Sequence, residues 1–282
     1  AAGPGSDEDA WREQAVVSLG DTTRLPRVLL KAGRGEPVVV GAIGGSITAG
    51  VGASGEDKRW ASLVTDWWRR SFPDTPMRLV NGGIGATGSD LGAHRVWRDL
   101  LAHEPDFVVV EYAVNDLGSP ICAQTLEGLV RQILSLRNRP ACLLLYTMDA
   151  QGNNTQAEHG RVARHYGLPA VSFRDALWPE VEAGRVAWND IEADHVHPND
   201  RGHALCADFV VSVLEKVRAE LPADAPEPSP LPEPLTGDTF QHARLLTGDA
   251  LTPTANNGWE AAPGHYGIGP GWTAKEPGAS IE

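Results

Sequence analysis

Cysteine is scarce. The 282 residues hold three, Cys122, Cys142 and Cys206, an odd number with no CxxC spacing. That argues against a disulfide framework and against a cysteine-based zinc site. Cys142 stands in Ala141-Cys142-Leu143-Leu144-Leu145 and reads as a small core residue. Basic residues are also few, 24 Lys plus Arg against 37 Asp plus Glu, for a formal net charge of −13. Phosphate recognition needs a basic face, so a nucleic-acid binder is disfavoured, as is docking on anionic lipid. No apolar run approaches the roughly 18 residues of a membrane span. Residues 1–7 show neither a basic nor an apolar leader region, so no signal peptide is visible there, and the compartment is left open. What is present is ordinary globular composition, 41% hydrophobic and 22% charged, in a chain long enough to bury a core without staples.

Residues 1–35 read as a polar N-terminal extension with one helix, near residues 9–18. Beyond them strand and helix patterns alternate. Short apolar runs, read as buried strands, fall at 37–43, 77–80, 106–114, 141–147 and 168–171. Helical spacing falls at 59–72, 90–103, 125–136, 156–166, 174–184 and 200–220. This order predicts an α/β fold, a parallel sheet with helices on both faces, over residues 36–221. Residues 222–235 carry six prolines and read as a stiff linker. Residues 236–282 have no helical period. They read as a small β-rich or irregular segment, either part of a longer module or a strap packed back on the main domain.

Ligands of open α/β sheets bind beyond the carboxyl ends of the strands. Four segments lie in such positions or just before the last helix. They are Gly44-Gly45-Ser46-Ile47-Thr48, Asn81-Gly82-Gly83-Ile84-Gly85-Ala86-Thr87-Gly88, Val114-Asn115-Asp116, and Asp194-His195-Val196-His197-Pro198. Together they supply a hydroxyl, a glycine-rich amide loop, a carboxamide and an Asp/His pair. Those are the parts of a serine hydrolase. A serine hydroxyl needs a base to take its proton, the base needs an orienting group, and the tetrahedral oxyanion needs preplaced donors. Ser46, His197 and Asp194 fit the first three roles. The amides of Ser46 and of Gly85 or Ala86, with the Asn115 side chain, fit the fourth.

These blocks in this order resemble the SGNH (GDSL-type) hydrolase family, in a branch similar to bacterial carbohydrate acetylesterases. The resemblance implies a three-layer α/β/α sandwich (flavodoxin-like) and ester hydrolysis through an acyl-serine, with no cofactor and no metal. It carries over Ser46 as nucleophile, His197 as base, Asp194 as its partner and Asn115 as oxyanion carboxamide. Three departures stand out. Gly45 replaces the usual Asp before the serine, Ala113 replaces a Gly, and the loop donor falls on Ala86 instead of Gly. An alanine amide still donates if its backbone is αR or β. The implied substrate is a small-molecule or carbohydrate ester, with acetyl the expected acyl group.

Other readings compete. The same fold serves lipases, thioesterases and arylesterases. Residues 83–88 spell G-x-G-x-x-G, which would suit a dinucleotide-binding oxidoreductase. A non-catalytic carbohydrate-binding protein, with the tail making the contacts, is a further rival. Nine Trp stand against four Tyr and five Phe; Trp178, Trp188, Trp259 and Trp272 lie near loops and read either as a sugar-stacking rim or as simple packing. Asp194, His195, His197, Asp200 and His203 form a candidate metal cluster, set aside because the hydrolase reading uses the same residues without metal. Glu111 is expected to be a buried carboxylate paired with Arg95.

Overall fold

The computed structural model describes residues 7–264, 268–275 and 277–282. In chain order the first compact unit contains α1 (Asp7–Ala15), β1 (Val16–Ser18), α2 (Arg24–Gly33), β2 (Val38–Gly44), α3 (Ser46–Ala49), α4 (Trp60–Ser71), β3 (Met77–Gly83) and α5 (Ser89–Asp99). It continues with β4 (Phe107–Glu111), α6 (Cys122–Leu134), β5 (Ala141–Tyr146), α7 (Gln156–His165), β6 (Ala170–Ser172), α8 (Phe173–Glu182), α9 (Trp188–Ile191) and α10 (Asp200–Ala219). Six strands form one sheet in the order β1-β6-β5-β4-β2-β3. From β2 to β6 every pairing is parallel.

Alternation along the strands separates two cores, as a period of two requires. Val38, Val40, Phe107, Val109, Leu143 and Leu145 pack with α1, α2, α4, α8 and α10. Ile43, Val108, Val110, Cys142 and Leu144 pack with α5, α6 and α7. The result is the three-layer sandwich. After β2 the chain steps outward to β3, then crosses back to lay β4 on the other side of β2. That reversal opens a crevice at the carboxyl ends of β2 and β4, the place where such sheets bind ligands.

Two segments differ from the sequence expectation. Residues 7–35 are structural: Trp11, Ala15, Leu25, Val28 and Leu29 are buried in the core, and β1 adds an antiparallel edge strand on β6. Residues 222–235 are docked along the domain. An extended proline-rich chain makes no internal hydrogen bonds, which leaves its carbonyls free for partners. Here Pro226 O accepts from Arg27 at 3.2 Å and Pro232 O from Arg131 at 2.8 Å. Just beyond, the Glu127 carboxylate accepts from the Leu235 amide at 2.5 Å and the Thr236 amide at 2.7 Å. The first unit therefore runs on to Ala243, and the second is Arg244–Glu282. Described by itself, the second holds two small antiparallel sheets, β7 (Asn256–Asn257) with β10 (Ser280–Ile281), and β8 (Glu260–Ala262) with β9 (Gly271–Thr273). No helix among the described residues is long and apolar enough to cross a membrane.

Candidate active site

Ser46 opens α3, with Gly45 alone between it and β2, and it lies half-buried at the crevice. Asn115 sits in the turn after β4, which ends at Glu111, sooner than the sequence pattern indicates. The two segments press together. A Cβ on Gly45 would lie 2.3 Å from Asn115 Oδ1 and 2.8 Å from its Nδ2. Any side chain at position 45 would therefore displace the Asn115 carboxamide.

His197 arrives on a tight loop between α9 and α10. Glu192 and Pro198 form an antiparallel bridge, and the Ala193 amide donates to His197 O at 2.7 Å. Inside the loop, Asp194 Oδ1 accepts from the amides of Val196 (2.8 Å) and His197 (2.9 Å), a turn that Asp forms readily. Asp194 Oδ2 lies 2.7 Å from His197 Nδ1, and His197 Nε2 lies 2.8 Å from Ser46 Oγ. A carboxylate only accepts, so Nδ1 carries the proton and Nε2 is free to accept from the Ser46 hydroxyl. Partial burial pushes the Asp194 carboxyl up. The hydrogen bonds from the His197 ring and the two amides outweigh it and hold the group at about 2. Gly52, at φ +91°, lets the segment after α3 lie against this loop; a Cβ there would meet Pro198 O at 2.1 Å. Ser54 adds a clasp, donating to Asp200 through its amide (2.7 Å) and hydroxyl (2.6 Å). The Trp188 indole donates to Asp194 O at 2.6 Å, a contact with no sequence signal.

The glycine-rich loop follows β3. A Cβ on Gly85 would stand 3.8 Å from Ser46 Cβ, so Gly85 faces Ser46 across a narrow gap. Ala86 departs from the expected αR or β backbone: its φ is +58°, the left-handed region. An L-residue there costs on the order of 1–2 kcal/mol. Glu111 also departs from expectation. It does not pair with Arg95; Thr48 (3.0 Å) and Thr147 (2.8 Å) donate to its carboxylate. Burial pushes this group up to about 7. His195 is exposed at the loop tip, with its Nδ1 3.9 Å from Asp194 Oδ1. His203 is buried and contacts Val51 O and the Trp60 amide. No cluster suited to hold a metal ion occurs among the described residues.

Glu192 is a second buried carboxyl. It is 3% exposed, and its Oε2 has no hydrogen-bond partner among the described residues. Burial, aided by the nearby Asp194 charge, pushes it up to about 9. The folded protein thus keeps a proton that the unfolded chain releases above its ordinary value of 4.5, so this residue lowers stability progressively as pH rises from 4.5 to about 9. Glu192→Gln keeps the shape and removes the ionisation. Thermal melts are expected to show stabilisation at pH 8 and little change at pH 4. An equal shift at both pH values would contradict this origin.

Residues 42–205 match the GDSL-like lipase/acylhydrolase family. The match spans more than half of the chain, and the chain belongs to that family. It is 38% identical to a two-domain esterase active on acetylated mannans, over 96% of this chain and 74% of that one, with a TM-score of 0.88. The thioesterase 1/protease 1/lysophospholipase L1 of Escherichia coli (strain K12) is 25% identical over 181 residues, 61% of this chain and 81% of that protein. An acetylxylan esterase from Geobacillus stearothermophilus, 20% identical, shares the fold at a TM-score of 0.52, over 63% of this chain and 94% of that one. The protein is a carboxylic ester hydrolase. The oxidoreductase reading of residues 83–88 is not favoured: the loop follows the edge strand β3, not the first strand of a βαβ unit, and it packs beside Ser46.

Proposed function

We propose that the protein removes acetyl groups from an acetylated carbohydrate, with mannan-type chains as the substrate class, through an acetyl-Ser46 intermediate. The observation that carries the mechanism is the continuous line from Asp194 through His197 to Ser46, at 2.7 and 2.8 Å. His197 Nε2 takes the Ser46 proton as Oγ attacks the acetyl carbonyl. The oxyanion is met by the Ser46 amide, an amide of the Gly85–Ala86 turn and the Asn115 carboxamide. His197 then returns the proton to the departing sugar oxygen. Water, activated by the same imidazole, releases acetate. Asp194 stays ionised and stabilises the imidazolium that forms in each half-reaction.

The substrate class rests on likeness to the acetylated-mannan esterase, which extends over nearly the whole chain. An acidic protein with a formal net charge of −13 also suits a neutral ester better than an anionic one. The test is an acyl-chain series on p-nitrophenyl esters beside acetate release from acetylated mannan oligosaccharides. Acetyl is expected to have the highest kcat/KM, with acetate released from the oligosaccharides. Preference for long acyl chains or acyl thioesters, without deacetylation of mannan, would overturn the assignment in favour of a thioesterase or lysophospholipase activity.

A further inference from the structure

Arg95 is fully buried in α5 and lies outside the triad, yet its guanidinium touches the ends of β2 and β3 and the side chain of Tyr112, the residue after β4. Nη2 donates to Gly44 O at 2.9 Å, the last carbonyl of β2, two residues before Ser46. Nη1 donates to Gly82 O at 2.5 Å, near the end of β3 and three residues before Gly85. Nη2 also donates to the Tyr112 hydroxyl at 2.8 Å, just after β4 and three residues before Asn115. It reaches Thr87 Oγ1 at 3.4 Å, while Thr87 itself closes the glycine-rich loop onto Ile84 O at 2.8 Å. The one carboxylate in this set is Asp99, 3.0 Å from Nη1. The approach is built in: a Cβ on Gly92 of α5 would lie 2.7 Å from the Tyr112 hydroxyl oxygen.

We propose that Arg95 is a positioning residue for the oxyanion hole, setting the relative places of the Ser46, Gly85–Ala86 and Asn115 donors by tying β2, β3 and β4 to one rigid fork. The inference rests on the nucleophile and oxyanion roles given above. A buried guanidinium is poorly repaid as a device for stability alone, since apolar packing of similar volume often serves as well. Arg95 even leaves its buried Nε without a partner among the described residues. What an apolar side chain lacks is a planar head with several donors at fixed angles. Lysine lacks it too, offering a point charge on a flexible stem. Oxyanion stabilisation is sensitive to such placement, because its donors act through fixed geometry at the position the charge will occupy.

The experiment compares Arg95→Lys, Tyr112→Phe, Asn115→Ala and the double variant Arg95→Lys/Asn115→Ala, with Ser46→Ala as control. Each is titrated with a serine-directed phosphonate, so that kcat and KM on p-nitrophenyl acetate are expressed per competent site. Arg95→Lys is expected to lower kcat per titrated site about 10²-fold, approaching the loss of one oxyanion donor, with KM little changed. Tyr112→Phe is expected to lower it less, by severing one arm. The double variant is expected to fall short of the product of the single losses, because both act on the same donors. A merely structural role would lower the melting temperature and the titratable fraction but leave kcat per site at the wild-type value. That result in Arg95→Lys would overturn the proposal, as would fully additive losses in the double variant. If Arg95→Lys does not fold, unchanged kcat per site in Tyr112→Phe overturns it. Full activity in Ser46→Ala would instead sink the nucleophile assignment on which the inference rests.

Discussion

Ser46→Ala is expected to lower kcat by about 10⁵–10⁶-fold with the fold unchanged, and His197→Ala by nearly as much. The size follows from the chemistry. A hydroxyl attacks only as its proton leaves, and the acceptor in reach is His197 Nε2 at 2.8 Å. Without either group there is no covalent route. What remains is the field of the oxyanion donors acting on water, about 10³–10⁴-fold over the uncatalysed reaction. The fold should persist, because Ser46 is half-buried and its hydroxyl pairs with the catalytic ring. The double variant should be no slower than either single one, since the two groups act as a unit. Purified variants assayed on p-nitrophenyl acetate, with melting curves alongside, test this. Additive losses would contradict a shared step.

Asp194→Asn is the second large effect, about 10³–10⁴-fold in kcat. Asparagine keeps an oxygen for the Val196 and His197 amides, so the turn is expected to hold. It replaces the other oxygen, 2.7 Å from His197 Nδ1, with an NH2 group that cannot accept. The imidazole then favours the tautomer with its proton on Nε2, facing Ser46, where it cannot act as base. The wild-type carboxyl is held at about 2 against an ordinary 3.8. Its contribution to stability is therefore complete above pH 3.8 and is lost as pH falls toward about 2. The group is 45% exposed, so solvent screens this contribution and keeps it modest. Asp194→Asn should flatten the stability profile between these pH values and leave it unaltered near neutrality. Loss of activity with a collapse of stability at pH 7 would point to the turn and not to the tautomer.

Much of this site was legible in the sequence because of where its residues fall. Ser46 and Asn115 follow apolar runs that could only be buried strands, and strand ends are where such sheets carry chemistry. The Asp194 and His197 spacing, ahead of a helix, is short enough to fold into one turn. Other features had no local signature. Val16–Ser18 follows α1 without a breaker, and three residues are too few for a periodic signal; pairing with β6 makes them a strand. The prolines of residues 222–235 specify an extended chain but not what it lies on, and the partners Arg27 and Arg131 are distant in sequence. The left-handed backbone of Ala86 runs against the preference of alanine, so only the assembled loop reveals it. Glu111 and Arg95 are both buried, and opposite charge is the only pairing cue their sequence positions carry. In the fold, two threonine hydroxyls meet the first, and the ends of β2 and β3 with the Tyr112 hydroxyl meet the second.

The central claim is that the acyl group passes through Ser46. Acid-quenching the wild-type enzyme during turnover of p-nitrophenyl acetate, then mapping adducts by peptide mass spectrometry, addresses it directly. One acetyl group is expected on the peptide containing Ser46, absent from Ser46→Ala and from enzyme quenched after the substrate is spent. An acetyl adduct that turns over on another residue, or full turnover by Ser46→Ala, would contradict it.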